Sequence, residues 1–318
     1  MAYPVDGIVL IDKEPEITSH DVVQKVRFAL NTKKGYRVGH AGTLDPFATG
    51  LLIILLGQAT RLFDYLVAGE KMYEAVMTLG VETDTLDGAG RVVSTTPVPD
   101  FPTSHIRQEA MALVGEIEQV PPVYSAIKID GKRAYALARN GVAVPMKSRR
   151  VKVSALDILG VDLPRLSLGV RCSSGTYVRS LAADLGRILG PGGHLSALRR
   201  IQSGGFHVDD ALGSEEISRE QGEILGQRTL SLREALPGIR EVQVDGELAR
   251  KVRHGYQPSG DDLVRSSHST RTEPGCDAEY TPERSIKLIH QEKLIAVLTV
   301  NHGGGGRYER VSIDKVFS

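Results

Sequence analysis

Cysteine is nearly absent from this chain, with Cys172 and Cys276 the only two among 318 residues. Two are too few for a disulfide framework, and their separation has no metal-binding spacing. The nine histidines form no compact cluster along the sequence, so no metal site is expected. Long apolar runs are missing as well. The most hydrophobic stretch, 51–56, is far shorter than the roughly 20 residues that span a bilayer. No basic segment followed by an apolar core opens the chain, as it would in a secretory signal. A cytoplasmic protein without a membrane partner is expected. There is no G-x-S-x-G elbow, which removes a serine-hydrolase reading of the run His302-Gly303-Gly304-Gly305-Gly306 as an oxyanion loop. No repeat period is visible.

Excess charge of one sign is also lacking, since 39 Lys and Arg balance 39 Asp and Glu. The balance hides a segregation. Between Tyr124 and Lys152 eight cations (Lys128, Lys132, Arg133, Arg139, Lys147, Arg149, Arg150, Lys152) meet one acid, Asp130, so this segment carries +7 and the remainder −7. Such a concentration fits a phosphate-facing segment.

With 41% hydrophobic and 25% charged residues the composition is that of a soluble globular protein. Its length allows more than one domain, at roughly 150 residues each. Gly7 to Asp12 reads as a buried strand. Thr18 or Ser19 can cap a helix in which Val22, Val23, Val26 and Leu30 recur at helical spacing. The stretch 51–56, bounded by Gly50 and Gly57, reads as a second buried strand. From Lys71 to Gly80 the chain alternates, placing Tyr73, Ala75, Met77 and Leu79 on one face. Ile106, Ala110 and Leu113 mark a further helix, stopped by Pro121-Pro122.

The basic segment should hold its own short helix near Ala134 to Arg139, closed by Asn140-Gly141. After a strand at 166–171, Thr176 can cap a helix whose stripe is Val178, Leu181, Leu185 and Ile188, with Tyr177 and Arg179 near its start. A second unit should begin near Ile239. Its strands fall at 286–289, 294–300 and 308–316, and 260–285 reads as a polar extended loop.

Between the first helix and the second buried strand lies Gly39-His40-Ala41-Gly42-Thr43-Leu44-Asp45-Pro46-Phe47-Ala48. By itself this is turn chemistry. A loop that feeds straight into a rigid buried strand is also where catalytic groups are commonly held, and Asp45 lies in such a loop.

This loop resembles the catalytic loop of the TruB family of tRNA pseudouridine-55 synthases. The resemblance extends in order along nearly the whole chain. Gly7-Ile8-Val9-Leu10-Ile11-Asp12-Lys13 with Thr18-Ser19-His20-Asp21 precedes the loop; Lys71-Met72-Tyr73-Glu74-Ala75 and Thr83-Asp84-Thr85-Leu86-Asp87 follow it. Gln119-Val120-Pro121-Pro122-Val123-Tyr124-Ser125-Ala126-Ile127-Lys128 resembles the start of the family's RNA-gripping insertion. Cys172-Ser173-Ser174-Gly175-Thr176-Tyr177-Val178-Arg179-Ser180 and Gly192-Gly193-His194-Leu195-Ser196-Ala197-Leu198-Arg199-Arg200 complete the set. The chain departs from the family at Glu14-Pro15-Glu16 and in the polar loop 260–285.

The resemblance implies an α+β fold of the pseudouridine-synthase type: a mixed, largely antiparallel sheet flanked by helices, plus a small C-terminal β-rich PUA-like domain. Residues 1–238 would form the catalytic domain, with a basic insertion at 124–152, and 239–318 the RNA-binding domain. It implies Asp45, Tyr73 and Arg179 as catalytic residues, with Arg179 paired to Asp45 and Tyr73 stacked on the base. His40, Tyr177 and Leu198 would bind substrate. Lys128, Lys132, Arg133, Lys147, Arg149, Arg150, Arg199 and Arg200 would contact RNA phosphates.

The implied reaction breaks the bond from ribose C1′ to N1, turns the base and rejoins it through C5, with no cofactor. Asp45 could attack the sugar, attack the base or abstract a ribose proton. The expected partner is the T-arm of tRNA, whose uridine must be flipped from its stack, and no obligate protein partner is implied, so a monomer is expected. Two alternatives share the scaffold: a non-catalytic tRNA-binding or folding protein, and a guide-RNA-dependent synthase subunit.

Overall fold

A computed structural model of the chain describes residues 5–125, 127–129, 131–139, 145–218, 221–266, 285–302 and 308–317. The Asn140-Gly141 cap, the glycine run 303–306, Cys276 and the stretch 267–284 of the polar loop lie outside the described residues.

Alternation decides the architecture. In the strand Thr49–Leu56, Leu52, Ile54 and Leu56 enter one core while Leu51, Ile53 and Leu55 enter a second on the opposite face. A strand covered on both sides has no solvent face, so its sequence reads as an unbroken apolar run. The first strand, Gly7–Lys13, divides likewise and lies antiparallel to it. The main sheet then runs Leu212–Gly213, Gly7–Lys13, Thr49–Leu56, Gly193–Ser203, Lys71–Leu79, Arg165–Cys172, Arg149–Asp162, Gly115–Gln119. Along this order every pair is antiparallel except the first and the third.

Helices Ser19–Ala29, Thr103–Met111 and Val178–Leu189 bury their stripes on one face. The first starts with a capping box, in which Thr18 Oγ1 accepts from Asp21 N and the Asp21 carboxylate accepts from Thr18 N, satisfying two otherwise orphaned donors. In the third, Ile188 is 41% exposed and Leu189 is buried instead. At 100° per residue, position 189 returns to within about 20° of Val178, whereas 188 is about 80° away, so the expected stripe is corrected by one residue.

On the other face Leu62 and Leu66 join Leu294, Val297 and Phe317 of a C-terminal four-stranded sheet. That sheet is ordered Arg240–Gln243, Ser285–His290, Lys293–His302, Tyr308–Val316 and packs helix Gly246–Arg253 into a core of its own. The expected polar loop is corrected at its start, where Gly260–Ser266 is helical and buries Leu263. The whole is α+β, with a mixed and largely antiparallel sheet flanked by helices and a β-rich C-terminal part, as the sequence implied. No helix among the described residues is long and apolar enough to cross a membrane.

The third pairing is parallel and short, joining Arg199 to Thr49 and Arg200 to Gly50. Gly50 has φ +97°, and a Cβ there would lie 2.3 Å from the Arg200 carbonyl oxygen. Only glycine fits both demands. Gly50→Ala is expected to lower stability by about 1–3 kcal/mol in urea unfolding, in proportion to the strain of the left-handed conformation plus the clash. An unchanged midpoint would contradict the close approach.

Candidate active site

The loop at 42–48 closes a hairpin between Val38–Ala41 and Thr49–Leu56, in which His40 faces Ile54 and Ala41 faces Ile53. Side chains from three other segments fasten it. Lys13 is fully buried and donates to the carbonyls of Glu14, Ile17 and Pro46 at 2.8, 2.8 and 3.0 Å. Ser19 Oγ donates to Leu44 O at 3.1 Å and accepts from Leu44 N at 2.9 Å. Arg200, 1% exposed, donates from Nη2 to Gly42 O at 2.9 Å and from Nε to Leu51 O at 2.7 Å. Within the loop, Ala48 N donates to Asp45 O at 3.1 Å. Asp45 thus projects from backbone held on both sides. Burial brings the Lys13 amine down to about 8, so its charge is maintained by these carbonyls and by nearby acids, Glu14 and Asp45 among them.

Arg179 enters from the first turn of helix Val178–Leu189 and is only 4% exposed. A buried guanidinium needs its charge and donors answered. Its Nη2 donates to Asp45 Oδ1 at 3.1 Å, while Nε lies 2.9 Å from Asp45 Oδ2. Nη1 donates to Asp87 Oδ2 and Thr85 O at 3.1 and 2.9 Å, and Nη2 also to Tyr124 O at 3.1 Å. Two carboxylates therefore share one cation. Their side chains differ in access, 8% exposed for Asp87 and 32% for Asp45. Burial, reinforced by the charge of Asp87, holds the Asp45 carboxyl above its ordinary range, and Arg179 and Lys13 oppose the shift.

A cleft of about 350 Å³ opens over this pair. Asp45, Tyr73, Arg179, His40, Tyr177 and Leu198, six residues singled out in the sequence, all line it. Tyr73 comes from the central strand Lys71–Leu79; burial raises its phenol, which keeps it a neutral aromatic wall. His40 is lowered by burial and by Arg200, so the imidazole is uncharged at neutral pH. Its Nδ1 is buried without a hydrogen-bond partner.

Tyr177 is fixed through its backbone. Gln119, fully buried, accepts from Tyr177 N at 2.8 Å and donates to Tyr177 O at 3.1 Å. This corrects the expected cap: helix Val178–Leu189 starts without a side-chain cap on Tyr177, while Thr176 Oγ1 turns back to donate to Ser173 O.

The expected phosphate contacts divide. Lys147 and Arg150 are exposed, the latter 3.3 Å from Glu118. Arg149 donates to Gly175 O and lays its guanidinium 4.6 Å over the Tyr177 ring, at the cleft wall. Lys128, Lys132 and Arg133 sit on the hairpin of Lys128–Ile129 with Lys132–Arg133, with side chains outside the described residues. Arg200 is corrected, whereas the Arg199 side chain is 38% exposed. Arg199 is engaged by both Asp12 oxygens at 2.9 and 2.6 Å, and Arg200 is a buried brace of the loop rather than a surface cation.

Asp87, Lys13 and Gln119 were not singled out as site residues, although each lies in a segment that resembles the family, because Asp87 and Gln119 act through partners 92 and 58 residues away and Lys13 through main-chain carbonyls. Among the described residues no group of three or more His, Cys, Asp or Glu side chains is arranged to hold a metal ion.

A family model described as TruB family pseudouridylate synthase (N terminal domain) matches residues 27–178, and one described as tRNA pseudouridylate synthase B C-terminal domain matches 179–236. The second match ends before the C-terminal sheet begins. A protein of Geotalea uraniireducens called tRNA pseudouridine synthase B is 42% identical over 99% of this chain and 98% of its own. One of the same name from Syntrophotalea carbinolica is 38% identical over 94% and 99%. Among solved structures, a chain of an H/ACA RNP bound to a substrate RNA containing 2′-deoxyuridine shares the fold, with TM-score 0.70 and 24% identity over 98% of this chain and 85% of that one.

The shared cation makes a measurable demand. Because the folded protein raises Asp45, it penalises the ionised form, so this group weakens folding as pH rises from the ordinary Asp value through its own. In a carbon-13 NMR titration Asp45 should titrate above 3.8, and Asp87→Asn, by removing the neighbouring negative charge, should move it down. A midpoint unmoved by that substitution would show that the two carboxylates are not coupled.

Proposed function

The chain belongs to the TruB family of pseudouridylate synthases, and on that basis we propose that it isomerises uridine 55 in the T-loop of tRNA to pseudouridine. The observation that carries the reading is the pairing of Asp45 with a buried Arg179 at the floor of a cleft walled by Tyr73 and Tyr177. Relatives matched along nearly their whole length are named for tRNA, and the tRNA substrate comes from them. The guide-RNA-dependent alternative is weaker, since the RNP chain shares 24% identity against 38–42% for those relatives.

In this reading the uridine is turned out of the RNA stack into the cleft, with Tyr73 against the base. Breaking C1′–N1 leaves its electron pair on the uracil and an electron-poor sugar carbon. Asp45 is the carboxylate that answers this charge, held in direction by Arg179. The base rotates, C5 bonds to C1′, the C5 proton leaves and N1 gains one, so atoms and charge balance without a redox step. His40, uncharged and lacking a partner on Nδ1, is the group we assign to filling the place that the nucleotide vacates. Lys147 and Arg150, with the hairpin at 128–133, hold the RNA backbone, and the C-terminal unit at 239–318, read as PUA-like, extends the RNA-binding surface.

Asp45→Asn is expected to reduce tritium release from C5-labelled uridine in tRNA transcript by about 10⁴-fold or more, with tRNA affinity retained. Unchanged turnover would sink the catalytic assignment. Lys147→Ala with Arg150→Ala should lower the slope of log affinity against log salt by about 1.5–2, from two lost phosphate contacts. An unaltered slope would remove both residues from the RNA interface.

A further inference from the structure

Phe63 is a large aromatic side chain left 44% exposed, yet it lines the same cleft as Asp45. It begins the short helix Phe63–Ala68, whose residues divide into two stripes. Leu62, which immediately precedes the helix, and Leu66, four positions on, are buried in the core beneath the sheet. Phe63 and Val67, also four apart, form the neighbouring stripe and face the cleft. The helix lies against Val38–Ala41, the strand that presents His40. Nothing in the mechanism above uses the ring.

The helix is braced from behind, so the exposed ring does not belong to a loose segment. Tyr65 Oη donates to Asp314 Oδ2 at 2.8 Å, and the same oxygen accepts from Thr299 Oγ1 at 2.7 Å. Arg61 donates to Val316 O and sits 5.1 Å over the ring of Phe317, itself 1% exposed. The C-terminal sheet therefore holds one side of the helix while the other offers an apolar, π-faced surface to the cleft. Exposing a fixed aromatic to water is unfavourable unless something flat and apolar covers it in use.

We propose that Phe63 is a stacking platform for an unpaired nucleobase of the RNA loop, next to the uridine that enters the cleft. The inference rests on the isomerase reading of that cleft and assigns a second base contact to it. A base is the occupant that fits: it has a π-face, it is present in any RNA loop from which a nucleotide has been displaced, and its own stacking partner has just been removed. The contact is sequence-tolerant, so it favours an opened loop over a paired helix rather than one base over another.

The test measures Kd by fluorescence anisotropy on a T-arm hairpin, beside turnover on tRNA transcript, for the wild type, Phe63→Ala, Phe63→Leu and Phe63→Tyr. Phe63→Ala should weaken binding by ~5- to 150-fold, the range of one lost base stack, with turnover at saturation and thermal midpoint unchanged. Phe63→Tyr should restore binding and Phe63→Leu should not. Hairpins carrying one abasic nucleotide at each loop position beside the target then locate the contact. One of them should cost the wild type affinity and cost Phe63→Ala nothing further. Full binding by Phe63→Leu, or equal abasic losses in wild type and Phe63→Ala at every position, would overturn the proposal. A wild type that shows the abasic coupling but releases no tritium would support the stack and defeat the isomerase reading instead.

Discussion

One buried guanidinium organises this molecule. Arg179 cannot be dehydrated alone, and the fold answers it with two carboxylates and two carbonyls drawn from three separate stretches of chain. Each partner is fixed in turn. Asp87 is held by Thr85 Oγ1 at 2.6 Å and Ala89 N at 3.1 Å, Tyr124 lies at the foot of the basic insertion, and Asp45 rides the braced hairpin loop. Of the two acids that share the cation, Asp45 lines the cleft while Asp87 lies behind it, 8% exposed. Breaking such a group by removing the cation would strand both acids in a poorly solvated place, a far larger loss than its net contribution to stability.

The basic insertion is tied to the same cluster by bonds between side chains and main chain. Gln119 clamps Tyr177, Ser180 Oγ donates to Val120 O at 2.9 Å, Tyr124 O accepts from Arg179, and Arg149 reaches Gly175 O. Both stems of the insertion therefore bond to the start of the helix that carries the cation. A displacement of either stem is therefore transmitted to Tyr177 and Arg179 through one side chain at each bond.

Much of this could be read in the chain. The unbroken run at 51–56 announced a strand buried on both faces, the alternation from Lys71 placed Tyr73 inward, and the Asp45 loop stood out because it resembles the catalytic loop of the TruB family. Other parts had no local signature. Arg200 reads as a surface cation beside Arg199, and only the parallel pairing with Gly50 turns it inward. Asp87 is one acid among many until Leu86, at φ +62°, bends the chain and Arg179 arrives from 92 residues away. The Ile188 and Thr176 errors are of another kind. Each was one step off in a helix, where neighbouring positions differ by 100° and a single residue decides between core and water.

The brace of the Asp45 loop by Arg200, and its pairing with Arg179, join residues separated by 158 and 134 positions. On a ribosome adding about 5–20 residues per second, the loop therefore emerges on the order of ten seconds before the side chains that fix it. During that interval Asp45 lacks Arg179, and the carbonyls of Gly42 and Leu51 lack Arg200, while Lys13 and Ser19 are already present for those of Pro46 and Leu44. The site consequently cannot complete its bonds until residue 200 has been added. A nascent chain halted before position 179 already contains Asp45 but lacks the cation around which the cleft is assembled.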